Sequence, residues 1–507
     1  MNHISSRKLF FFLIFFLFLF LQTISGILTP LTPPFFKTQE VQAAGESWYN
    51  SSWLYRKKIT IDHTKVASDE ANFPVLISLD ALSNINTNGT DIRFTSSDGT
   101  TELSREIESY SSGSLRAWVK VPALSSSTDT VIYMYYGNAS ATTEPLANST
   151  YGSQNVWQST GDTSTAMVQH MKDATTSTII DSTAYANNGT KKAANEPIAT
   201  PSGQIDGAQT FDGTDDYVDV GNGASLNITN AITVEVWIKL SSNTEPHMII
   251  YKGSGAPNYP GYDLYYSSGL FIFKGTNKTP ATYAQASSLN ALGNWTHIVG
   301  TMDGHNISIY RDGILKQTVT DLNQFLDSNT NDVIIGKRWR SSAPGEVNDW
   351  FFSGSIDEAR IYNRALSAQE ITTQYNNQYS PSTFYALGSE ESLDHLVITG
   401  SSPQTSGSSQ TITITAKTNL GNTYTDYAGD KSPTFSGANA YSGGSSPTCS
   451  DKTGADIALG TATTLTFTNG VATCTLKLYK VESASIQYLR IVLSFSMKST
   501  DIGYRLG

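Results

Sequence analysis

Ile232-Thr233-Val234-Glu235-Val236-Trp237-Ile238 is the stretch that decides the fold. Ile232, Val234, Val236 and Ile238 alternate strictly, the period of a strand with one buried face. Glu235 and Trp237 take the other face, where Glu235 reads as a solvated strand residue. Outward from there the same period returns at Tyr262, Leu264 and Tyr266, at Ile307 and Ile309, and at Val333 and Ile335. Asp212-Gly213, Asp303-Gly304 and Asp312-Gly313 mark turns between them. Many strands at such spacing predict an antiparallel sandwich. One short helix interrupts it: Ser367 and Glu370 form a capping box, and Leu366 and Ile371 a hydrophobic staple that docks it.

The flanks are β-rich as well. Upstream, Phe73, Val75, Ile77 and Leu79 alternate, then Leu115, Ala117, Val119 and Val121, and Val131 to Tyr136 is a third strand. Downstream, Ile412, Ile414 and Ala416 alternate. Leu465-Thr466-Phe467 meets Val471 across Asn469-Gly470, a strong hairpin signal. A polar connector, Gly388-Ser389-Glu390-Glu391-Ser392, separates the second block from the third.

A chain of 507 residues suggests roughly three domains of about 150 residues. Only 15% of residues are charged, and the formal net charge is -11 without a long basic run. A nucleic-acid partner needs a positive patch to displace phosphate counterions, so that class is excluded. At the N-terminus, Arg7 and Lys8 precede the unbroken apolar run Leu9 to Leu21, the pattern of an export signal. Val41-Gln42-Ala43 offers a cleavage site before Ala44; retention as an anchor through Leu28 is the alternative, and the only membrane contact expected. In an exported chain the pair Cys449 and Cys474 reads as a disulfide.

Three resemblances follow from longer motifs. Trp53-Leu54-Tyr55-Arg56 leading into Ile59-Thr60-Ile61, then Asp91-Ile92-Arg93-Phe94 and Tyr133-Met134-Tyr135-Tyr136-Gly137-Asn138, resemble the bacterial and archaeal DUF2341 group, which names no activity. Ile205-Asp206-Gly207-Ala208 through Phe211-Asp212-Gly213-Thr214-Asp215-Asp216-Tyr217-Val218 resembles the opening of a laminin-G-like jelly roll. Asn294-Trp295-Thr296-His297-Ile298-Val299, then Ile309-Tyr310-Arg311-Asp312-Gly313, and the ending Gly354-Ser355-Ile356-Asp357-Glu358-Ala359-Arg360-Ile361-Tyr362 follow in that family's order. The third block resembles a bacterial immunoglobulin-like repeat that ends atypically or incompletely from Tyr488. Together these imply an all-β chain: a concanavalin A-like antiparallel jelly-roll sandwich flanked by two smaller β-sandwich domains, behind an N-terminal signal segment. The expected boundaries are 1–44 for the signal or anchor, 45–150, 151–390 and 391–507.

Catalytic signatures are not found. Jelly-roll hydrolases carry Glu-x-Asp-x-(x)-Glu on one strand, so that two carboxyl groups converge, and no such string occurs. Asp357 and Glu358 are adjacent on a strand and are expected on opposite faces. Gly-x-Ser-x-Gly, His-Glu-x-x-His and a phosphate-cradling loop are absent too. Asp451-Lys452-Thr453-Gly454 imitates a pump phosphorylation motif without the helices such a pump needs. His297 belongs to the family's strand pattern and reads as packed or surface-exposed. No enzyme activity is expected.

Two kinds of site are. The laminin-G-like resemblance implies a structural Ca²⁺, with Asp357 and Asp181 as ligands and Asp212, Asp215 and Asp216 as further candidates. Aromatic turn regions could stack on a pyranose: Tyr259 and Tyr262 in one, Trp339 with Arg340 and Trp350 in another, Asn348 reaching hydroxyls. Capping of the core by these rings is the competing reading. The function expected is a secreted or cell-surface, non-catalytic adhesin for extracellular glycans or surface and matrix proteins. The alternatives are a polysaccharide hydrolase or its accessory module, and a structural envelope or surface-layer component.

Overall fold

The computed structural model describes residues 48–488 except 51, 159–161, 175–176, 245, 254–260, 276–282, 321–325, 327–328, 339–349, 403, 481, 483 and 485. The expectations for the leader, Tyr259, Trp339, Arg340 and Asn348 fall outside the described residues. Among those residues no helix is long and apolar enough to cross a membrane.

Residues 165–362 build two large antiparallel sheets. One contains, in order, Ile198–Thr200, Ala208–Asp212, Ser353–Tyr362, Ile232–Leu240, Thr296–Met302, Asn306–Arg311 and Ile314–Thr320, and Thr165–Gln169 also pairs with Ser353–Tyr362. The other runs Tyr283–Ser287, Leu270–Gly275, Tyr262–Ser267, His247–Lys252, Val333–Ile335, Val218–Gly221, Gly189–Lys191 and Thr178–Ile179. Val234, Val236 and Ile238 of the first meet Leu264, Phe271 and Phe273 of the second in one apolar core. The sheets approach so closely that a Cβ on Gly300 would lie 2.1 Å from the Phe273 ring. The alternation read from the sequence is this core.

The far side of Ile232–Leu240 is not solvated. The helix Ala368–Tyr379 lies over it, with Trp237 stacked on Tyr375 and donating through Nε1 to Gln378 Oε1 at 2.6 Å. Ser367 caps the helix by accepting from Glu370 N–H at 3.0 Å. The Glu370 carboxylate turns to Arg364. Leu366 and Ile371 pack with Val299, Tyr310 and Tyr362, as the staple predicts.

The first block is a three-stranded sheet, Glu70–Leu79, Ser114–Leu124 and Arg105–Ser111, packed on Tyr55–Ile61, Thr130–Tyr136 and Arg93–Ser96 through Phe73, Val75, Ile77, Ile132 and Met134. The helix also grips this block. Asn377 Oδ1 accepts from Leu76 N–H at 2.7 Å and Asn377 Nδ2 donates to the Leu76 carbonyl at 3.1 Å, both buried. Asn377→Leu strands that N–H and carbonyl, so a loss of about 2 kcal/mol is expected in urea unfolding. An unchanged midpoint would count against the grip.

The polar connector expected at Gly388–Ser392 is instead part of one strand, Tyr385–Thr399. Its first half pairs with Tyr55–Ile61, from Ile61 opposite Tyr385 to Tyr55 opposite Ser392. Its second half pairs with Ser409–Thr418. The first and third blocks therefore share a single eight-stranded sheet. Glu390 and Glu391 read as linker residues because they are charged, yet Glu391 is buried against Arg56 at 2.5 Å and Glu390 accepts from Tyr136 OH at 2.5 Å.

In the third block the Asn469-Gly470 turn forms, with φ of 48° and 78°, as a two-residue hairpin turn requires. Its arms then diverge: Leu465–Phe467 pairs with Gly429–Lys431, while Val471–Lys477 pairs with Ser409–Thr418 and Thr448–Ser450. Cys449 and Cys474 are joined in a disulfide with Cα atoms 5.8 Å apart.

Candidate functional site

Strand alternation that buries Tyr262, Leu264 and Tyr266 turns Asp263 and Tyr265 to the outer face of the second sheet. Tyr262 is thus a core residue, 2% exposed, and not the surface ring expected from its loop. Trp350, half-buried, comes to this face from another segment. Its ring lies 5.4 Å from Tyr265, and the Arg338 guanidinium sits 4.9 Å from the indole centroid. Trp350 has φ of 49°, a left-handed conformation that bulky residues avoid. Strain of this kind persists only where surrounding structure imposes it, and it clusters at binding sites. Met248 N–H holds the segment by donating to the Trp350 carbonyl at 2.8 Å.

Next to Tyr265 on the same strand, Asp263 is buried, 3.7 Å from Lys274 across the strand pair. Burial raises its carboxyl above the usual range against the pull of Lys274 and Arg338. Asp263 Oδ1 has no hydrogen-bond partner among the described residues. The face therefore joins two aromatic rings and two cations, with the Asp263 carboxyl buried beside them.

The acids assigned by sequence are differently placed. Glu235 is fully buried rather than solvated, because the helix and the Tyr362 ring cover its face. Its Oε1 is 3.0 Å from His297 Nε2 and accepts from Gln378 Nε2 at 3.1 Å; Tyr362 OH donates to Oε2 at 3.1 Å. Burial pushes the carboxyl up, but Arg360 and His297 outweigh it and hold it below its ordinary value. His297 is packed, as expected.

Asp357 and Glu358 do not point to opposite faces. The register with Ile232–Leu240 shifts between Glu235 opposite Arg360 and Trp237 opposite Asp357, a β-bulge, and Glu358 adopts φ of 50°. Ile356 and Ala359 face the core, leaving both acids on the outer side. Burial, then Glu358, raises the Asp357 carboxyl well above its ordinary range. All three acids are sealed from solvent.

Asp181 and Asp357 do not share a group of three potential ligands among the described residues. Both oxygens of Asp181 are occupied: Val168 and Thr183 N–H donate to Oδ1, Asn187 N–H and Thr183 Oγ1 to Oδ2. These bonds shape the turn, so a Ca²⁺ there would have to displace them. Asp357 Oδ2 accepts from Ile205 N–H at 2.9 Å, and Oδ1 has no partner among the described residues. Exposed Asp215 and Glu196 gather with buried Asp216, and Lys192 already bridges Glu196 and Asp215.

The two-sheet core, the closing bulged strand and the capped helix coincide with a known family. The family described as the concanavalin A-like lectin/glucanases superfamily matches residues 212–372. That segment is a concanavalin A-like domain. The domain of unknown function DUF2341 matches residues 88–188, reaching past the first block into the strand Thr165–Gln169 and the Asp181 turn. No curated protein matches the sequence. Among solved structures, the binding domain of botulinum neurotoxin serotype D is 15% identical over 42% of this chain and 51% of its own length, with a TM-score of 0.33. The chain thus spans about half of that relative. Domain 4 of AbnA, a GH43 extracellular arabinanase from Geobacillus stearothermophilus solved with arabinotriose, is 19% identical over 41% of this chain and 97% of its own, with a TM-score of 0.33. At these TM-scores neither likeness bears on what the concanavalin A-like domain binds.

Proposed function

We propose that the chain is an exported, non-catalytic binding protein whose concanavalin A-like domain takes extracellular glycans on the face formed by Tyr265, Trp350, Arg338 and Asp263. The observation that carries this reading is Trp350, a half-exposed indole held at φ of 49° between a tyrosine ring and a guanidinium. A pyranose offers an apolar face to stack on such rings, and its hydroxyls donate to a carboxylate or accept from a guanidinium. The sealed position of Glu235, Asp357 and Glu358 supports binding over hydrolysis, since no substrate reaches them. Tyr259, Trp339 and Arg340 remain glycan-binding candidates on their sequence alone, and the third block a candidate spacer from the cell.

The test is a glycan array probed with the exported chain, in Ca²⁺ and in chelator. Trp350→Ala is expected to lose binding at least about thirtyfold, the effect of a central interface residue worth about 2 kcal/mol. A folded Trp350→Ala chain with undiminished binding would remove this face from consideration. Loss of binding in chelator alone would support the structural Ca²⁺.

A further inference from the structure

Glu108 from the Arg105–Ser111 strand, His170 after the Thr165–Gln169 strand and Glu358 at the bulge converge in a sealed space between the first block and the concanavalin A-like domain. Each offers a ligand atom within 4.8 Å of the others, and all three side chains are buried. His170 Nδ1 is 2.7 Å from Glu358 Oε1 and 3.7 Å from Glu108 Oε2. Ligand atoms of a tetrahedral site with bonds near 2.1 Å stand about 3.4 Å apart. The observed pair of distances brackets that value, so small side-chain shifts suffice.

Several atoms of these residues, including the Glu108 oxygen that lies 3.7 Å from His170, are already held by neighbours. Arg360 donates to Glu358 Oε2 from Nε at 3.1 Å and Nη2 at 2.5 Å. Trp118 Nε1 donates to Glu108 Oε2 at 2.8 Å. His170 Nε2 faces Glu106 Oε2 at 3.3 Å, the carboxylate partner that fixes the tautomer of a metal-binding imidazole. Left over is Glu108 Oε1, on a side chain with no exposed surface, without a hydrogen-bond partner among the described residues. Asp357 Oδ1, beside Glu358 in the chain, is likewise buried and has no partner among the described residues. Buried carboxylate oxygens are costly unless something positive meets them. Four carboxyl groups, of Glu106, Glu108, Asp357 and Glu358, gather around His170 and Arg360, and Lys172 also acts on Glu108.

We propose that Glu108, His170 and Glu358 bind a divalent transition cation of the Zn²⁺ type, which staples the first block to the concanavalin A-like domain. One imidazole with carboxylates suits Zn²⁺ better than Ca²⁺ or Mg²⁺, which take oxygen ligands. His170 coordinates through Nδ1 as the neutral imidazole, with Nε2–H directed at Glu106. The site is closed, so the ion enters as the chain folds.

The exported chain, unfolded in chelator and refolded with or without Zn²⁺, tests this by elemental analysis after gel filtration and by thermal unfolding. One tightly held equivalent and a raised Tm are expected, with visible absorption when Co²⁺ replaces Zn²⁺. Glu108→Gln keeps the side chain's shape and an oxygen for Trp118, so it should fold and yet hold less than about a tenth of an equivalent at matched Zn²⁺. His170→Gln should behave alike. Wild-type chain that refolds without retaining metal overturns the proposal. So does a folded Glu108→Gln chain that retains as much.

Discussion

Arg360→Met lowers the stability of the folded chain by about 3–5 kcal/mol at pH 7, the cost of leaving buried charges without their partner. Arg360 is fully buried, with its guanidinium 4.5 Å from the Trp118 ring and 4.8 Å from the Trp157 ring. It donates to Glu358 and lies 4.0 Å from Glu235 Oε1. Burial opposes its charge, but Glu358, Tyr362 and Glu235 hold the proton more firmly than usual, so it stays charged. Methionine restores most of the volume and isolates the loss of charge. Arg360→Lys should rescue little, since an ammonium cannot both donate twice to a carboxylate and reach two indole rings as the planar guanidinium does. Urea midpoints followed by tryptophan fluorescence read both variants. A shift under about 1 kcal/mol for Arg360→Met would mean that this charge network does not support the fold.

The contrast between what was legible and what was not runs through these same residues. Strand alternation is local, so the core of Val234, Val236 and Ile238 could be read directly, as could the cap at Ser367. Which outer faces are covered is not local. Glu235 looks solvated because nothing near it in sequence announces a helix at Ala368–Tyr379 lying on top. The period-2 rule that separated Asp357 from Glu358 assumes an unbroken strand, and the bulge carries no signal in residue type. Glu390 and Glu391 look like linker for the same reason that Glu235 looks exposed: their partners, Tyr136 and Arg56, lie hundreds of positions upstream. One signal was available and missed. Glu106-Ile107-Glu108 places two acids on one face of a strand, the spacing that warrants a search for a convergent histidine. For the proposed binding face, aromatic surroundings in the sequence point to Trp350, whereas Asp263 and Tyr265 gain meaning only from the turn of their strand.

Glu235→Gln gives the largest pH-dependent effect. The folded chain holds this carboxyl below its ordinary value, against burial, through Arg360, His297 and the Gln378 amide. A depressed carboxyl contributes stability above its unfolded value near 4.3, and that contribution disappears as pH falls through the folded value. At pH 7 the amide leaves Arg360 with one carboxylate fewer and His297 facing an uncharged oxygen, a loss of about 3 kcal/mol. As pH falls through the depressed folded value, wild-type Glu235 takes up its proton and comes to resemble the amide, so the two stability curves converge. Urea midpoints for both chains between pH 7 and pH 3 give the difference at each step. A gap that stays constant over this range would show that the glutamine perturbs packing alone. Convergence would show that ionised Glu235 acts as the counter-ion beneath the helix, holding the outer face of the concanavalin A-like domain to the element that joins it to the first block.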